Sequence, residues 1–115
     1  VGYMEQLNQI LFSFEAFVER GDGTTAPFSL RVFQPAYEEG HGFYCIVECP
    51  FIREKHFKIF GVDEEQACEL SIVFIRQSAE DMKAHLVDAQ GNKVSIPAIP
   101  PETIIPVGSP ETDGS

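Results

Sequence analysis

The sequence predicts an α+β domain, an antiparallel sheet of about four to six strands with one main α-helix packed across one face. Three features lead there. Four successive segments alternate apolar and polar residues, one later segment switches to a helical period behind a capping signature, and a Pro-rich stretch follows. At 115 residues there is room for one core. The expected division is a single α+β domain over residues 8–97 and a Pro-rich acidic tail over residues 98–115.

The first strand is expected between Asn8 and Arg20. Ile10, Phe12, Phe14, Ala16 and Val18 fall on one side, and Leu11, Ser13, Glu15, Phe17 and Glu19 on the other. Gly21-Asp22-Gly23 ends it. Alternation returns from Phe28 to Gln34, with Phe28, Leu30 and Val32 opposed to Ser29, Arg31 and Phe33, and Pro27 and Pro35 as brackets. Tyr37 to Gly42 reads as a polar loop. The third strand, Phe43 to Cys49, sets Phe43, Cys45 and Val47 against Tyr44, Ile46 and Glu48. Lys55 to Phe60 makes the fourth, and the short connection favours an antiparallel hairpin. Its register pairs Val47 with Phe57, Cys45 with Ile59, Ile46 with Lys58 and Glu48 with His56.

The period then changes. Asp63 is placed to cap a helix, with Gln66 completing a capping-box-like pair and Val62 and Ala67 at the positions of a hydrophobic staple. Glu64 and Glu65 suit the positive end of the helix dipole. The helix is expected from Glu64 to Gln77 or as far as Met82. Its stripe is Ala67, Leu70, Ser71, Phe74 and Ser78, with Leu70 and Phe74 against the sheet. Leu86 to Ala89 and Lys93 to Ile96 read as a last small hairpin around Gln90-Gly91-Asn92.

The other face of the sheet would carry Leu11, Phe17, Phe33, Tyr44, Ile46 and Phe60. A cluster of aromatics on one face asks for a cover. The tail, through Ile99, Ile104 and Ile105, is one candidate; a second copy or a protein partner is the other.

Chemistry-bearing groups do not converge. Cys45, Cys49 and Cys68 lack CxxC spacing, and Cys45 and Cys49 on one strand stand roughly 13 Å apart, beyond disulfide reach of about 7 Å. Reduced, buried thiols in a cytoplasmic protein are expected. His41, His56 and His85 are scattered, so no metal and no cofactor is expected. Glu38-Glu39, Glu64-Glu65 and Glu80-Asp81 read as solvated carboxylates, and no phosphate-loop, nucleophile-elbow or zincin pattern occurs. The chain is therefore read as a non-enzyme. Its formal charge of −10 repels nucleic acid and anionic lipid, which excludes both as expected partners.

Gly61-Val62-Asp63-Glu64-Glu65-Gln66-Ala67-Cys68-Glu69-Leu70, preceded by Cys49-Pro50-Phe51, resembles a group of small bacterial domains of unknown function. These join a strand bearing a Cys-Pro step to a G-[VI]-D-x-x-Q-A helix start. The likeness spans roughly Phe28 to Leu86 and implies no catalytic residues. In size, acidity and lack of an active site the chain is also similar to immunity proteins of bacterial toxin systems, which block a basic toxin domain. That likeness implies a non-enzymatic bacterial binding protein that neutralises a cognate toxin. The alternative is a structural or accessory domain working as a homodimer or as a subunit of a larger assembly. Glu38, Glu39, Glu64, Glu65 and Glu69 are the candidates to steer a basic partner, and Phe33 and Tyr44 the candidates to anchor it.

Overall fold

The computed structural model describes residues 9–107. The ends of the expected first strand (Asn8) and tail (residues 108–115) lie outside that range. Six strands and one helix follow in the order β1 (Ile10–Glu19), β2 (Thr25–Phe33), β3 (Ala36–Glu38), β4 (Gly42–Glu48), β5 (Phe57–Gly61), α1 (Glu64–Asp81) and β6 (His85–Val87). The strands form one antiparallel sheet. The expected α+β architecture is present.

β1 and β2 pair along nearly their whole length, but the register shifts between Ile10 and Phe12. A bulge there inserts one residue, and one residue is enough to exchange the faces of a strand. Ile10 therefore lies opposite Phe33 on the outer face, and Leu11 packs against the core. This corrects both placements read from simple alternation. Pro27 also differs: it lies inside β2, opposite Phe17. The first half of β2 has a neighbour on its β1 side only, the half-open setting in which a strand tolerates proline.

The segment read as a polar loop begins with a strand. β2 meets β4 at Arg31–Glu48 and Val32–Val47, and β3 meets the same edge of β4 at Ala36–Tyr44, Tyr37–Phe43 and Glu38–Gly42. β2 and β3 are thus one line of chain along β4, broken at Gln34-Pro35, where proline offers no N–H. The turn that follows closes through His41 N–H to the Glu38 carbonyl, and Gly40 supplies the positive φ of 86°. On its other edge β4 pairs with β5 in the expected register, Cys45 with Ile59, Ile46 with Lys58 and Val47 with Phe57. The expected Glu48–His56 pair is absent, because β5 starts at Phe57.

Asp63 caps α1: its Oδ1 accepts from the Gln66 N–H at 2.7 Å, and Gln66 Oε1 accepts from the Val62 N–H at 2.8 Å. The staple does not form, since Val62 is 77% exposed. Ala67 is fully buried for another reason. A Cβ on Gly61 would stand 2.5 Å from the Ala67 nitrogen, so the end of β5 lies directly on the first turn of α1. The buried stripe is Ala67, Cys68, Ser71, Ile72, Ile75 and Ala79. It is rotated from the expected one, leaving Leu70 38% exposed. Phe74 does reach the sheet, edge-on to Phe57 at 5.3 Å, with the Arg53 guanidinium over both rings.

The last hairpin is only partial. β6 joins the main sheet beside β1, pairing Phe17 with Val87 and Glu19 with His85, while Lys93 makes a single bridge to Val87. Asp88 organises the turn between them by accepting from the Gln90 and Asn92 N–H groups. After it the chain runs along the helix side of the sheet. Arg76 holds the Ile96 carbonyl through Nε and Nη2, and Ile99 and Ile104 pack on the core. Gln34 donates to the Thr103 carbonyl and accepts from the Ile105 N–H, and Glu64 accepts from the Val107 N–H at 2.9 Å. The described part of the Pro-rich segment therefore docks beside α1 and the β1–β2 end, not on the outer face.

Candidate functional site

Because the described part of the tail packs with the helix, no described element lies over the outer face of the sheet. Cross-strand pairing brings its side chains together. Phe33 is opposite Ile10, Ala36 is opposite Tyr44, and Tyr44 is opposite Phe60. Ile10 is 49% exposed and Phe60 37%. Tyr44 is 9% exposed, covered by its neighbours on the same face. Phe60 stacks on it at a tilt, 5.4 Å between ring centres, and the Lys58 ammonium stands 4.6 Å from the ring centre. His41 extends the row, 6.0 Å from Phe60.

Charge borders this patch. Lys58 Nζ donates to Glu38 Oε1 at 2.8 Å, and His41 Nδ1 lies 3.3 Å from Glu38 Oε2. The hydrogen bond from Lys58 holds the Glu38 carboxyl below the ordinary carboxylate range and, reciprocally, raises the Lys58 ammonium. Arg31 pairs with Glu48 at 3.0 Å on the same face. Glu38 is thus not a free charge at a loop tip, as the loop reading implied; it anchors the ammonium that covers Tyr44. Glu39, one residue on in the turn, is exposed.

The expected steering residues fall into two groups. Glu38 and Glu39 sit at the edge of the aromatic face, with Phe33 and Tyr44 on it. Glu64, Glu65 and Glu69 belong to α1 on the opposite side of the sheet, and Glu64 is occupied by the Val107 N–H. The structure does not bring the two groups together. Lys58 lies on the face where the expected Ile46–Lys58 register puts it. Ile10 does not: simple alternation assigns it to the core face, because the bulge hides the signal.

The thiols are enclosed. Cys45 and Cys68 bring their Sγ atoms to 3.2 Å in the core between β4 and α1. The hydrogen bond with Cys68, reinforced by burial, raises the Cys45 thiol far above the ordinary range. Burial pushes Cys49 up to about 11. Such thiols are poor nucleophiles at neutral pH. Among the described residues, no three His, Cys, Asp or Glu side chains gather in a metal-binding arrangement. No described helix is long and apolar enough to cross a membrane.

No family model, curated protein or solved structure matches the chain.

Proposed function

We propose that the chain is a non-enzymatic binding protein that holds a basic protein partner against the aromatic face of its sheet. The role best suited to so small and acidic a partner is that of a bacterial immunity protein covering a cognate toxin domain. One observation supports this reading: Ile10, Phe33, Tyr44 and Phe60 share a face on which no described segment packs, while the described part of the tail docks beside the helix. Rigid aromatic anchors in a patch bordered by charge are the usual source of affinity in a specific interface. The net charge of −10 adds steering towards a basic surface.

The experiment is affinity capture from the source organism with wild-type protein and with the Phe33→Asp/Phe60→Asp variant, together with sedimentation of the wild type alone. A basic protein held by the wild type and lost by the folded variant supports the reading, and relief of that protein's toxicity on co-expression identifies the role. A stable dimer dissolved by the same variant would assign the face to a second copy and remove the proposed partner.

A further inference from the structure

At the C-terminal end of α1, beside β6 and the 93–96 segment, there is an open cleft of about 680 Å³, within the range of small-molecule sites. Its apolar walls include Ala79, Leu86 and Ile96, all buried. Around them stand Arg76, Lys83 and Lys93, three of the chain's eight Lys and Arg residues, with His85 and a single carboxylate, Glu80.

Despite 18 Asp and Glu residues in the chain, none of these three cations forms a salt bridge among the described residues. Arg76 is oriented by the Ile96 carbonyl, which takes Nε and Nη2 and leaves Nη1 without a hydrogen-bond partner among the described residues. Lys83 follows the helix cap in the left-handed conformation, φ 55°. The Ala84 N–H returns to the Ala79 carbonyl and the Lys83 N–H to that of Glu80, the helix ending that glycine ordinarily serves. A lysine is strained there. The negative end of the helix dipole accounts for a cation at Lys83. It does not account for Arg76, inside the helix, or for Lys93, on the facing segment.

We propose that this cleft binds a small organic anion with an apolar body, the anionic group among Arg76, Lys83 and Lys93 and the body against Leu86 and Ile96. The cleft lies at the β6 edge of the sheet, and the aromatic patch lies towards the β4–β5 edge, so the two sites are independent.

The probes are octanoate, octyl phosphate, octanol and inorganic phosphate, followed by amide NMR shifts and calorimetry on the full chain. Saturable 1:1 binding of octanoate or octyl phosphate is expected, with shifts confined to Arg76–Leu86 and Lys93–Ile96. The stronger of the two tells carboxylate from phosphate. Lys83→Gly relieves the backbone strain, so it should melt no lower than wild type and yet bind the anion roughly tenfold more weakly, as should Lys93→Ala. Octanol binding as tightly as the anions, shifts spread over the surface, or unchanged affinity in both variants would each overturn the proposal.

Discussion

Tyr44 and Lys58 meet on the open face of the sheet, the ammonium 4.6 Å from the ring centre while it donates to Glu38 at 2.8 Å. The lysine is therefore a cover for the aromatic patch, and Glu38 is what holds the cover down. The chain has no Trp, so its tyrosine emission can be followed directly. Glu38→Gln should leave the fold intact and make Tyr44 more accessible to acrylamide quenching. The pH dependence follows from the sign of the shift. A carboxyl lowered in the folded state contributes stability that is complete above its unfolded value, about 4.3, and is lost as pH falls through the folded value. The difference in melting temperature between wild type and Glu38→Gln should thus be constant at neutral pH and shrink in acid. A difference unchanged down to pH 3 would contradict the pairing.

The join of β5 to α1 carries a second prediction. Gly61→Ala puts a methyl within 2.9 Å of the Ala67 and Gln66 backbone, which has nowhere to move, and should destabilise by about 1–3 kcal/mol. At Gly21 an added Cβ meets nothing within 4 Å, so Gly21→Ala is the matched control. Asp63→Ala should cost about 0.5–2 kcal/mol through the lost cap. Urea unfolding of the three variants checks all of these, and equal midpoints for Gly61→Ala and Gly21→Ala would rule out the close approach.

The thiols predict a pattern of reactivity. Cys45, Cys49 and Cys68 should resist iodoacetamide in the folded protein at neutral pH and react after unfolding in denaturant. Burial raises Cys49 in the folded state, so its contribution is complete below the unfolded value, about 8.5, and is lost as pH rises towards the folded value of about 11. Melting temperature should fall through that window by more in wild type than in Cys49→Ala. An equal fall in both proteins would show that Cys49 is not the group titrating.

Much of this fold was legible because local signals agreed. Phe28, Leu30, Val32, Cys45 and Val47 alternate cleanly and are all buried, and the Asp63–Gln66 signature marks the helix start to the residue. The misplacements have particular causes. A bulge between Ile10 and Phe12 exchanged two side chains in a strand whose both faces are apolar there, and alternation carries no trace of an inserted residue. Tyr37 and Glu38 read as polar loop because the pairing partner of β3, not its own composition, makes it a strand. Leu70 and Ser71 both read as part of the buried stripe, yet Gly61 seats the helix on Ala67, so Ser71 faces inward, satisfied by the Ala67 carbonyl at 2.7 Å, and Leu70 stays partly exposed. The aromatic patch was visible in outline. Its separation from Glu65 and Glu69 follows from the expected packing of the helix on the other face of the sheet.

The most direct test of the central claim is the dissociation rate of the captured partner from Phe60→Ala, compared with Glu65→Lys/Glu69→Lys. Phe60 is partly exposed, so its truncation should leave the melting temperature nearly unchanged while dissociation quickens by roughly tenfold or more. The helix double variant should slow association and scarcely alter dissociation. Unchanged dissociation from Phe60→Ala, with the helix variant releasing the partner instead, would move the interface to the other side of the sheet and contradict the account.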